Sequence, residues 1–149
     1  MLAHTLYLVA VTAGLIWFSL GAHYFGFKHH AAAKILIPKS ARDSPIFPTT
    51  AAATRFLGGM NAAWALLTLA LLATALSGSA LFSEPGERSL LLLVIASAHF
   101  SQFLGNVPIL LNGERQGETY WPVLSGPMRM IFTVDALQTV LCVAAALAQ

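Results

Sequence analysis

The residues of this chain that could do chemistry are few, and most lie in sequence that is otherwise hydrocarbon. In SAHFSQFLGN, residues 97–106, a histidine, a glutamine and an asparagine stand at positions 99, 102 and 106. Steps of three and four residues put His99, Gln102 and Asn106 on one face of a helix. Asp135, Gln138 and Cys142 repeat that spacing downstream, and Asn61 adds another amide. A polar group among lipid chains needs a partner, and an ionisable one there is a functional candidate. His99 and Asp135 carry the most chemistry. An imidazole can take or return a carboxyl proton, so the two would act as acid and base. Asn61, Gln102, Asn106 and Gln138 would then orient an oxygen of a ligand. The same residues would equally make a structural clasp that fixes helix register.

Other titratable groups offer less. Arg55 and Arg129 fall within the ends of apolar segments, where such side chains snorkel to head groups. The alternative is a shared anion site for a lipid phosphate or an acidic ligand. In HYFGFKHH, His23, His29 and His30 do not converge, because consecutive residues diverge on a helix; no metal site is expected. Haem held by His23 and His99 would need equal depths, and His23 lies near the end of its segment, so no cofactor is expected. The single cysteine excludes an intrachain disulfide, a CxxC motif and a cysteine zinc site, and Cys142 reads as small apolar filler. The chain has no P-loop, GxSxG, HExxH or dinucleotide fingerprint.

The elements that must position these residues follow from composition. Of 149 residues, 57% are hydrophobic and 9% charged. Soluble domains carry about 25% charged residues. A net charge of +2 without a basic cluster argues against nucleic-acid partners. Four apolar segments approach the ~20 residues that cross a bilayer: about 2–27, 52–82, 89–111 and 121–148. The first lacks the basic start of a signal peptide. The expectation is one all-α domain over 1–149: an integral membrane four-helix bundle, antiparallel and up-down, with both termini on the same side.

The connections refine this. SEPGER, at 83–88, is a short turn that would make spans two and three antiparallel neighbours. The first connection contains AAAKILI, which could form a short interfacial helix, but Pro38, Pro45 and Pro48 favour a surface loop. Pro122 and Pro127 suggest a late start or a kink in span four. At a rise of ~1.5 Å per residue, His99 and Asp135 reach similar depths near mid-membrane. Gly14 and Gly21, and Gly58 and Gly59 with Ala62 and Ala63, offer small-residue faces for helix contact.

Seven of the eight basic residues (Lys28, Lys34, Lys39, Arg42, Arg55, Arg115 and Arg129) fall near one face, and Arg88 near the other. Cytoplasmic loops carry the excess of Lys and Arg. Loops 28–51 and 112–120 are therefore expected in the cytoplasm and both termini outside or in a lumen.

Two stretches carry a resemblance: TRFLGGMNAAWALLTL in span two and IASAHFSQF in span three. Through Arg55, Phe56, Trp64, His99 and Phe100 they resemble the Erg28-like family of small four-helix membrane proteins. Asp135 and WPVLSGPMRM have no counterpart in that pattern. The resemblance implies a scaffold that tethers membrane enzymes.

The functional expectation is a multi-pass membrane protein that binds or scaffolds a lipophilic ligand or membrane partner through an inward-facing polar stripe. Its partners would be membrane lipids, a lipophilic small molecule, another membrane protein or a second copy. The alternatives are a cofactor-free isomerase or oxygenase acting on a lipid, isoprenoid or polyketide with the His99 and Asp135 pair, or a small transporter or channel.

Overall fold

The computed structural model describes residues 2–117 and 119–149; Met1, and Glu118 of the expected 112–120 loop, lie outside them. The described chain is all-helical apart from one small hairpin. The helices are α1 (Leu2–Phe27), α2 (His29–Leu36), α3 (Phe47–Ser77), α4 (Pro85–Leu111) and α5 (Gly126–Leu147), with a 3-10 turn at Lys39–Ala41. Strands β1 (Arg115–Gln116) and β2 (Thr119–Tyr120) pair antiparallel. Helices α1, α3, α4 and α5 are each long and apolar enough to cross a membrane.

Helix ends follow local chemistry. Pro48, Pro85 and Pro127 each sit in a first turn, where the missing N–H costs nothing. This starts α3 and α4 earlier than expected, at Phe47 and Pro85 instead of 52 and 89. Pro127 instead delays α5 to Gly126, the late start its sequence suggested. Helix α3 stops at Ser77, short of the expected 82, because Gly78 takes the left-handed conformation at φ 68° and its N–H closes on the Thr74 carbonyl.

The first connection departs from the expected loop, since His29–Leu36 is helical. Its prolines lie beyond the helix end, and Ala32 and Ala33 are strong helix formers that bury fully. Helix α2 packs on α3 and α1.

Packing also differs from the expected order. Helix α3 packs mainly on α1 and α4 mainly on α5, while α3 and α4 scarcely touch despite the short connection between them. Contacts of α1 with α5, and fewer with α4, join the two pairs. The reason lies in side-chain size. A Cβ added at Gly58 would stand 2.6 Å from Gly26 Cα and 3.0 Å from the Phe25 carbonyl carbon, so α1 and α3 meet backbone to backbone there. At Gly21 an added Cβ would lie 2.7 Å from Cγ of Asn61, so that glycine makes room for an amide of α3.

The buried residues of α1, Tyr7, Ala10, Val11, Gly14 and Phe18, form a stripe at helical spacing. They meet Leu71 of α3, Leu92, Ile95 and Ala96 of α4, and Cys142, Ala145 and Ala146 of α5 in one apolar cluster. At its outer end Ser89 Oγ donates to the Ala146 carbonyl at 2.8 Å, and Gln149 Nε2 to the Ala3 carbonyl at 3.2 Å. The Arg88 guanidinium lies 4.9 Å over the Tyr7 ring. The start of α1, the start of α4 and the end of α5 therefore meet.

Candidate functional site

One buried polar cluster draws residues from three of the four long helices, α1, α4 and α5, and an aromatic ring of α3 stacks behind it. His99 on α4 and Asp135 on α5 meet through Nδ1 and Oδ1 at 2.9 Å, with side-chain exposures of 0% and 1%. Trp17 on α1 donates its indole N–H to the same Oδ1 at 3.2 Å. Phe18, the next residue of α1, stacks on the His99 imidazole with ring centroids 4.6 Å apart. It also stacks on Trp64 of α3, with ring centroids 5.8 Å apart. The imidazole is thus held through one nitrogen and one ring face.

Chemically, this is a carboxyl oxygen holding two contacts in a water-poor interior. One proton serves the Nδ1···Oδ1 contact, and whichever partner carries it, the other accepts. In the neutral tautomer with its proton on Nδ1, the His99 Nε2 lone pair is free. Nε2 has no hydrogen-bond partner among the described residues, and neither do Asp135 Oδ2 and Gln138 Oε1. Burying a carboxylate costs several kcal/mol, and the contacts at Oδ1 offset part of that.

The structure brings together only some of the stripe expected from sequence. On α5 it holds: Asp135, Gln138 and Cys142 are all buried. On α4 only His99 faces inward, while Gln102 is exposed and Asn106 half-buried, its Nδ2 donating to the Gln102 carbonyl at 2.9 Å. The α4–α5 seam passes from His99 to Phe103, which stacks on Phe132 at 4.7 Å. A step of four residues follows the seam, and a step of three leaves Gln102 beside it. Asn61 stays on the α1–α3 seam and donates to its own Leu57 carbonyl at 2.8 Å.

No hydrogen bond or shared partner joins the two arginines among the described residues. Exposed Arg55 donates to His29 Nδ1 at 3.4 Å, and Arg129 is exposed on α5. Among the described residues no three His, Cys, Asp or Glu side chains converge as metal ligands would.

Trp17, Phe18 and Trp64 are the members of the cluster that sequence reasoning missed. The available signal was the indole N–H of Trp17, a donor deep in an apolar helix that needs an acceptor.

Two surface clefts stand apart from this cluster. One, of about 380 Å³, runs between the Ile35–Arg42 segment and the Thr119–Pro122 segment. The other, of about 360 Å³, lies against the outer side of α1 at Leu8, Val9, Thr12, Ala13 and Ile16. Neither is lined by His99 or Asp135.

Near the first cleft, Glu114 fastens the hairpin to the approach of α5. Its carboxylate accepts from the Leu124 N–H at 2.7 Å and the Tyr120 hydroxyl at 2.8 Å. Those bonds, the Leu124 amide first, hold Glu114 below its ordinary pKa of 4.5.

No protein-family model matches the chain, and no curated protein or solved structure does. Of the residues that carry the Erg28-like resemblance, Trp64 and His99 both pack on Phe18. Arg55, Phe56 and Phe100 are exposed.

Proposed function

We propose that the chain is a non-enzymatic membrane scaffold. Its four spans run up and down as one bundle, with the basic connections in the cytoplasm and both termini across the bilayer. The polar cluster locks the bundle, and the lipid-facing exterior receives a lipophilic partner. The observation that carries this reading is the closure of the His99–Asp135 pair. Both side chains are sealed from solvent, and a third helix supplies a donor to the same carboxyl oxygen. A catalytic pair needs reach to a substrate atom, whereas a clasp needs enclosure. The basic residues near one face support the orientation, and the tethering role agrees with the resemblance in spans two and three.

A second reading has its own observation. His99 Nε2, Asp135 Oδ2 and Gln138 Oε1 are buried without hydrogen-bond partners among the described residues. Such groups suit a proton relay, or an acid–base site reached after the helices separate.

Capture from native membranes after cross-linking within the bilayer distinguishes the two. The scaffold reading expects one stoichiometric membrane partner or a retained lipid, with cross-links mapping to exposed residues of the spans. Asp135→Asn should reduce the folded yield and the captured complex together. A solitary protein with neither partner nor lipid contradicts the scaffold. Full folding and capture of Asp135→Asn, with loss of the chain's biological activity in its host, would establish the second reading instead.

A further inference from the structure

Cations, aromatic rings and apolar side chains together line the cleft of about 380 Å³ between the first and third connections. Its walls, residues 35–42 and 119–122, belong to the segments that lead into α3 and α5, so the cleft lies by the ends of spans. Both walls are fixed. Arg42 donates from Nε to the Ile37 carbonyl at 3.1 Å and from Nη2 to the Lys34 carbonyl, which ties its guanidinium to the end of α2. The Glu114 bonds to Tyr120 and Leu124 hold the other side. Walls set in advance spare a ligand the cost of ordering them.

The charge of the lining has one sign. Lys39 and Arg42 line the cleft, and among the described residues no acidic one does. Lys39 is exposed, and its ammonium has no hydrogen-bond or ion-pair partner among the described residues. Two of the five Arg42 N–H groups go to the α2 carbonyls, and no described residue takes the rest. Trp121, also in the lining, has a buried indole N–H without an acceptor among the described residues. Two carboxylates are near in sequence. Glu114 is already held by two donors, and Asp43 does not line the cleft. Surplus donors with positive charge are the chemistry of a phosphate site, and a guanidinium fork matches phosphate oxygens. Ile35, Leu36 and Pro122 make the rest of the lining apolar. A free phosphate has no use for such a surface, whereas a lipid does. The volume is at the small end of ligand pockets and suits a head group. Basic pockets beside spans are where anionic head groups bind, and Tyr120 and Trp121 are interfacial residue types.

We propose that this cleft binds the phosphate of an anionic lipid head group, with Lys39 and Arg42 neutralising its charge and the apolar lining covering the adjoining glycerol. The inference rests on the membrane-spanning reading of the long helices. It is independent of the scaffold role and of the His99–Asp135 pair.

The test uses the full chain in mixed micelles, titrated with phosphatidylglycerol, phosphatidylcholine or inorganic phosphate. Calorimetry gives the affinity, and native mass spectrometry counts the bound lipid. One phosphatidylglycerol per chain is expected, held roughly 10-fold or more tightly than phosphatidylcholine. Lys39→Gln should weaken it about 5-fold and Lys39→Glu about 30-fold, because each basic charge at an anionic surface counts for a similar step. Arg42 also ties α2, so exposed Lys39 carries the test, and helical content should not change. Lys28→Gln removes the same charge from an exposed position outside the cleft and should shift the affinity by less than about 2-fold. Equal effects of Lys28→Gln and Lys39→Gln would mean diffuse attraction to the whole basic face and overturn the site. Binding of inorganic phosphate with no preference among lipids overturns the lipid assignment. A chain stripped from membranes by alkaline carbonate overturns the membrane-spanning reading and this inference with it. An embedded chain that binds both lipids alike overturns this inference alone.

Discussion

Asp135 shows what single residues contribute and how far they can be read in advance. Its meeting with His99 was legible, because rise per residue set both at one depth and a carboxyl in lipid must find a partner. Trp17 was not, because nothing in spacing alone says which face of α1 turns toward α5. Gln102 was misplaced for a related reason: a helix seam advances by three or four residues, and only packing decides which. Outside the spans, Glu114 makes a claim that pH can test. Its pKa is depressed in the folded chain, so the stability it contributes is present above its unfolded value and lost as pH falls through the folded one. The NMR shift of the Leu124 amide should therefore titrate with a midpoint below 4.5. Glu114→Gln should abolish that titration and loosen the hairpin above the folded pKa, where the wild-type carboxylate is ionised, and make no difference well below it. A midpoint at or above the ordinary carboxylate value would show that the two bonds do not persist in solution.

At the scale of elements, neighbouring glycines separate two roles. Gly58 lies backbone to backbone with Gly26, whereas a Cβ at Gly59 would meet nothing within 4 Å. Gly58→Ala should cost about 1–3 kcal/mol by forcing α1 and α3 apart. Gly59→Ala should be neutral or stabilising by up to about 1 kcal/mol, because alanine is the better helix former. Reversible unfolding of both variants in mixed micelles checks the contrast, and equal effects would show that the close approach is absent. The sequence displayed small-residue pairs at both positions but not which pair faces α1. The four long helices were legible because twenty apolar residues leave few alternatives. Helix α2 was not, since its prolines read as breakers until they proved to lie past its end. The pairing of α3 with α1 was obscured by the short connection to α4, which fixes chain direction but not packing.

For the whole molecule, the polar cluster joins two helix pairs that otherwise share mostly apolar contacts. Helices α1 and α3 approach through glycine, and α4 and α5 through Leu92, His99, Phe103 and their partners. Trp17 and Phe18 reach from the first pair to His99 and Asp135 on the second. The scaffold reading requires this junction to be cooperative and closed. A double-mutant cycle on the folded chain in mixed micelles tests that most directly. His99→Phe keeps a ring to stack on Phe18, Asp135→Leu removes the carboxyl at similar volume, and the double variant removes both. Each single change should cost roughly 3–5 kcal/mol by leaving one buried polar partner alone. The double variant should cost less than their sum by about 1–2 kcal/mol. Additive costs, agreeing within about 0.5 kcal/mol, would mean that His99 and Asp135 do not hold the bundle together and would contradict the clasp.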